Sequence, residues 1–147
     1  EQVVDASYPF ALRFITFGSE EVGLFGSRHY VTSLDADQRS NILAMLNFDA
    51  LGTGTATVLV GTDGLADTVV DIGRADHLLV ERQPAFDPGT SSDHAPFEEA
   101  DIPVVSFLGG DYSRIHTPED KLDFIQPDLL GNSATLAIAL LDTLAER

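Results

Sequence analysis

The chain has 147 residues, 44% of them hydrophobic, and carries 24 acidic against 8 basic side chains for a formal net charge of −16. A chain of this length buries roughly two thirds of its unfolded surface, so one compact domain spanning 1–147 is expected and a second does not fit. The charge argues against nucleic acid as a partner, the absence of cysteine excludes a disulfide framework and leaves His, Asp and Glu as metal donors, and no stretch approaches the ~18 apolar residues of a membrane span.

In chain order, the N-terminal Glu1-Gln2-Val3-Val4-Asp5 has no basic segment ahead of an apolar core, so it does not read as a targeting signal. Residues 11–17, Ala-Leu-Arg-Phe-Ile-Thr-Phe, form a β-branched and aromatic run closed by Gly18-Ser19, which predicts a largely buried strand. Residues 21–34 place Leu24, Phe25, Tyr30 and Val31 at helical spacing, with Gly23 and Gly26 weakening the propensity. A second apolar run at 42–51 is broken by Gly52 and Gly54 before a short strand at 57–60. Residues 63–75 read as a helix, and 84–92, rich in Pro, Gly, Ser and Thr, as a loop. Residues 102–108 form the third strong strand, followed by Gly109-Gly110. An amphipathic helix then runs from Pro127 with Leu129, Leu130, Leu136, Leu140, Leu141 and Leu144 on one stripe. Strands alternating with helices predict an α/β layered fold.

The polar outliers fall at predicted strand ends, where open α/β sheets gather function. Glu20 and Glu21 follow the first strand; taken alone, an acidic pair there more often answers a helix dipole, although adjacent carboxylates can also diverge to serve a metal and its water. Asp49 lies within Asn47-Phe48-Asp49, where an unpaired carboxylate costs several kcal/mol, so it either satisfies strand-end amides or holds a metal. Asp93, in Ser92-Asp93-His94 ahead of Ala95-Pro96-Phe97, suits a helix cap as well as a site; His94 alone is ambiguous. His116 precedes Thr117-Pro118-Glu119-Asp120, a helix-start signal that would hold the imidazole just outside a helix. His29 and His77, in predicted helices beside Arg28 and Asp76, read as surface residues. Without a Gly-x-Ser-x-Gly elbow, the Ser-His-Asp hydrolase reading is weak.

Taken together, Glu20-Glu21, Asn47-Phe48-Asp49, Ser92-Asp93-His94-Ala95-Pro96-Phe97 and Arg114-Ile115-His116-Thr117-Pro118-Glu119-Asp120 resemble, in order and spacing, metallopeptidase family twenty-eight, the zinc aminopeptidases of the leucyl-aminopeptidase and glutaminyl-cyclase type. The resemblance covers nearly all of the chain. It implies a mixed sheet flanked by helices, the zinc-exopeptidase (phosphorylase/hydrolase-like) fold, and two zinc ions in the complete enzyme. It further implies Glu20 as general base, Glu21 and His116 as ligands of one zinc and Asp49 as ligand of the second. Asp93 looks like a carboxylate backing those ligands, and Tyr112 is similar to a tyrosine that hydrogen-bonds the reacting carbonyl. Zinc takes carboxylate and imidazole donors, a bound water becomes acidic near neutral pH, and two such ions share that water when ~3.5–4 Å apart.

One departure lies in residues 1–10, which supply neither the family's His-x-Asp motif nor its bridging aspartate. Three of the five implied ligands are therefore present, and the chain is expected to be a catalytic domain lacking N-terminal strands. An open sheet edge would follow, with dimerisation, marginal stability or association with a separate N-terminal segment as its consequence. The implied substrate is a peptide with a free N-terminus, and the resemblance suggests secretion or a periplasmic location. A glutaminyl-cyclase-like acyltransferase using one zinc is the alternative within the fold, and a non-catalytic binding domain the alternative outside catalysis. The Asn47-Phe48-Asp49 aspartate favours hydrolysis over the first, and retention of Glu20 disfavours the second.

Overall fold

The computed structural model describes residues 7–86 and 90–147. Along the described chain run α1 (Phe25–Ser33), α2 (Ala36–Ser40), β1 (Met45–Phe48), β2 (Thr57–Gly61), α3 (Leu65–Ala75), β3 (Val80–Arg82), α4 (Ala95–Glu98), β4 (Val104–Leu108), a 3₁₀ turn (Leu122–Phe124) and α5 (Pro127–Ala145). The strands form a mixed sheet in the order β1-β4-β2-β3. β1 and β4 are parallel, β2 and β3 are parallel, and β2 meets β4 antiparallel with Leu59 opposite Phe107. The predicted α/β architecture of a mixed sheet flanked by helices is what the chain adopts.

The alternation of β4 sends its side chains to two different layers. Val105 and Phe107 join Leu59 under α3 and α5, in a cluster with Val69, Leu136 and Leu140. Phe107, Leu59, Leu136 and Leu140 are all 0% exposed, and burying each contributes roughly 1.5–3 kcal/mol. Val104 points the other way, into a smaller cluster with Val31 of α1, Phe97 of α4 and Ile102. The α5 stripe is thus largely as predicted, except that Leu130 lies at its margin and is 40% exposed.

Three expectations need correction. Residues 11–17 form no strand: a strand exists only where a neighbour completes its ladder, none of the described strands pairs with this run, and Phe14 is exposed. The following helix starts at Phe25 rather than near Glu21, because Leu24 holds a left-handed conformation, φ 58°, that a helix cannot pass through. Phe25 consequently points to solvent while Leu24 is buried. Lastly, Thr117-Pro118-Glu119-Asp120 starts no helix. The Thr117 hydroxyl accepts from Glu119 N at 3.2 Å and its carbonyl from Asp120 N at 3.1 Å, which closes a single local turn, a hydrogen-bonding choice threonine offers as readily as a cap. Of the predicted 84–92 loop, residues 87–89 lie outside the described residues and the rest carries no helix or strand.

Candidate active site

Because β1 and β4 are parallel, their carboxyl ends open at the same end of the sheet. Asp49 directly follows β1, and Gly109 opens the long connection from β4 to α5. The stretch that leads into the antiparallel β2 returns to that end, and the two connections are laced together there. Gly109 N donates to Ala50 O at 3.0 Å, Gly110 N to Thr53 O at 2.7 Å and Gln126 N to Gly52 O at 2.8 Å. Gly54 permits this approach: its φ is +85°, and an added Cβ would lie 2.6 Å from Gly110 Cα.

Glu20 and Glu21 sit on a tight turn rather than a strand end. Glu20 O accepts from Gly23 N at 3.1 Å and Leu24 N at 3.0 Å, between the left-handed Ser19 (φ 60°) and Leu24 (φ 58°). The turn aims the two carboxylates differently. Glu21 is exposed, and its Oε1 accepts from His116 Nε2 at 2.8 Å across 95 residues of sequence. Glu20 is half-buried. Its burial first, then the negative charges of Asp49, Glu21 and Asp93, push its pKa above the usual carboxylate range, while His116 pulls the other way. Charges from residues singled out in four separate motifs therefore act on one carboxyl group.

Asp49 does not take backbone amides at the strand end as its principal visible support. Its Oδ2 accepts from the Ser92 hydroxyl at 2.6 Å, and the Ser92 oxygen in turn accepts from Asn47 Nδ2 at 3.0 Å. Since the asparagine occupies the serine's acceptor side, the hydroxyl proton is directed at Asp49. Asp93 is not a cap either: the residue before α4 is His94, which makes no side-chain capping bond. Asp93 Oδ1 is instead a buried atom without a hydrogen-bond partner, as is His94 Nδ1. His94 is 4% exposed and stacks on Phe86 with ring centroids 4.2 Å apart. Burial lowers its pKa to about 4, against the attraction of Asp49, so the imidazole is neutral at pH 7.

Tyr112 lies on the connection that carries His116, partly exposed, with its carbonyl accepting from Ile115 N at 3.1 Å. His29 is exposed on α1, and His77, also exposed, sits just beyond α3 at φ 58° rather than inside the helix. As metal donors, Glu21 and His116 are of the types zinc accepts and already touch. Among the described residues no group of three or more His, Asp or Glu side chains is placed to hold one metal ion, whereas catalytic zinc takes three protein ligands. The donor chemistry fits zinc, and the count at this pair stops at two.

The sequence profile of peptidase family M28 matches residues 2–141. The chain belongs to peptidase family M28. Among curated members it is 34% identical over 139 residues to aminopeptidase YwaD of Bacillus subtilis, covering 87% of this chain and 30% of that protein. It is 36% identical over 114 residues to leupeptin-inactivating enzyme 1 of Streptomyces exfoliatus, covering 75% of this chain and 25% of that one. The M28 chain superposes on the LapA aminopeptidase of Legionella pneumophila with a TM-score of 0.80 at 25% identity, covering 97% of this chain and 41% of that one. On a zinc aminopeptidase from Bacillus subtilis the TM-score is 0.77 at 29% identity, covering 91% and 36%. The chain thus spans about a quarter to two fifths of the lengths of these relatives.

Sequence reasoning placed every residue of this candidate site in a motif but missed what supports Asp49. Asn47 and Asp49 are two apart and therefore share a face of β1 and its extension, a signal that strand alternation offered. The role of Ser92 was not legible, since nothing in the sequence places residue 92 beside residue 49.

Proposed function

We propose that this chain provides the general base and three of the zinc-binding side chains of an aminopeptidase that hydrolyses the N-terminal peptide bond of peptides. The observation that carries the reading is the convergence on Glu20: a half-buried carboxyl with a raised pKa, flanked by the touching pair Glu21 and His116 and by Asp49 and Asp93. Such a perturbed carboxyl among candidate ligands is what a general base working near neutral pH requires. Family membership and the zinc aminopeptidases among its structural neighbours support the same chemistry.

In this reading Glu21 and His116 hold one zinc and Asp49 a second. When bound, zinc supplies Lewis acidity, polarising the scissile carbonyl and making water acidic near neutral pH. Glu20, ionised, takes a proton from the attacking water on its carboxylate and returns it to the leaving amine. Ser92 keeps Asp49 in one orientation by donating to Oδ2, and Asp49 so held would be the side chain to bind the second ion. The Tyr112 hydroxyl donates to the substrate carbonyl oxygen as negative charge develops there.

The test is hydrolysis of leucine p-nitroanilide by the zinc-supplemented chain and by Glu20→Gln. Wild-type turnover that falls roughly 10²–10⁴-fold in the variant is expected, with kcat/KM rising as pH passes upward through the raised pKa of Glu20. Equal rates in the two proteins would sink the assignment of the base. Conversion of an N-terminal glutamine to pyroglutamate, without release of leucine, would replace hydrolysis by acyl transfer.

A further inference from the structure

His116 occupies a backbone position that does not hold itself. Its φ is +62°, and it is the third residue of a four-residue turn in which Arg114 O accepts from Thr117 N at 3.0 Å and from the Thr117 hydroxyl at 2.7 Å. A positive φ there suits glycine; any other residue stays only while its flanks are fixed. The downstream flank is fixed by the Thr117 bonds. The upstream flank is Arg114, whose side chain makes two contacts unrelated to that turn.

Arg114 Nη1 donates to Asp111 Oδ2 at 2.8 Å. The guanidinium carbon lies 4.1 Å from the centre of the Phe124 ring. Asp111 is further secured by accepting from Ser113 N at 2.9 Å. Asp111 lies near the start of the connection between β4 and α5, and Phe124 belongs to the 3₁₀ turn near its end. Both ends of this connection are bonded to the stretch after Asp49, at Thr53 and Gly52. A planar guanidinium is suited to the task, because it donates in its plane while stacking its face on a ring.

We propose that Arg114 is the positioning residue for His116: by tying Asp111 to Phe124 it closes the β4–α5 connection on itself and holds the strained turn that presents the imidazole to Glu21. The inference rests on the reading of Glu21 and His116 as a zinc-binding pair and deepens it. The Arg114 side chain contacts Asp111 and Phe124, and it acts on His116 through the backbone of residues 114–117.

The test uses the full chain and two readouts. The first is the nuclear Overhauser contact between the His116 ring protons and the Glu21 side chain, with the amide spectrum of α3 and α5 as a check on the fold. The second is affinity for zinc chloride by calorimetry, with His116→Ala as control. Arg114→Ala is expected to lose the Overhauser contact and to weaken zinc binding roughly tenfold, the effect usual for losing a residue that orients a ligand, while the α3 and α5 amides stay in place. Retention of the contact, with zinc affinity within about twofold of wild type, overturns the proposal. If His116→Ala binds zinc as wild type does, the metal reading falls, and the Overhauser contact alone then decides the role of Arg114. Should Arg114→Ala fail to fold, Phe124→Leu removes the stacking face from a partly exposed position; an unchanged His116–Glu21 contact in that variant equally overturns the proposal.

Discussion

On the face of the sheet covered by α3 and α5, the buried cluster around Leu59, Val69, Phe107, Leu136 and Leu140 is apolar, and the polar pair buried there, Thr57 and Ser133, is hydrogen-bonded at 3.1 Å. The end of the sheet carrying Glu20, Asp49 and His116 is built differently. Asp93 Oδ1, His94 Nδ1 and Thr53 Oγ1 are buried near it without hydrogen-bond partners. Of the six non-glycine residues with positive φ among the described residues, four (Ser19, Leu24, Ala50 and His116) form or adjoin it. Unpaired buried polar atoms and left-handed backbone each cost roughly 1–3 kcal/mol. The packed face offsets that cost, so the two regions divide labour: one stabilises, and the other spends stability on holding charged groups together.

The largest expected effect in a test of that division is on the packed face. Leu136→Ala, at a fully buried position, is expected to cost about 2–5 kcal/mol in urea unfolding, while the His116–Glu21 contact persists in the folded fraction. A loss below about 1 kcal/mol would mean that this face does not dominate stability.

His94 sharpens the comparison through pH. Its folded pKa of about 4 lies below the ordinary value of 6.5, so the native state binds fewer protons between those values. Stability from this group is complete above pH 6.5 and is lost as pH falls towards 4, by about 3 kcal/mol. His94→Phe, which keeps a ring against Phe86 and removes the unpaired Nδ1, is expected to flatten the acid limb of thermal stability between pH 6.5 and 4. An unchanged acid limb would move its origin elsewhere.

The smallest effect expected is at Glu20, and its sign is opposite. A pKa raised in the folded state means that the native protein binds more protons from the ordinary value of 4.5 upward. Ionisation of Glu20 therefore subtracts stability as pH rises through its folded pKa. The melting temperature of Glu20→Gln relative to wild type should increase from pH 4 to pH 7. A difference independent of pH would show that the crowd of carboxylates does not strain this residue, and would weaken the contrast between the two regions.

Much of this was legible in the chain itself. The α5 stripe, the β4 run and the break at Gly52 and Gly54 each declare themselves by periodicity or by the special backbone of glycine, which are local properties. The motif residues were found because polar groups at predicted strand ends and helix starts stand out from apolar surroundings. The strand expected at 11–17 failed for a complementary reason: its composition suits a sheet, but a strand is completed by a neighbour, and local pattern carries no information about which neighbours are present. The turn at Thr117 failed because threonine serves a helix cap and an isolated turn with the same hydroxyl.

The sequence by itself determined the layered α/β fold, the family and the set of candidate side chains, since these follow from local periodicity and from motifs in order. Only the tertiary structure decided that Glu21 meets His116 rather than standing apart from it, that Ser92 rather than the backbone holds Asp49, and that His94 is neutral. Each depends on segments 43 to 95 residues apart being brought within hydrogen-bonding distance or, for His94, on desolvation by the layer packed over it. Distances and burial are properties of the packed chain, and no single segment encodes them.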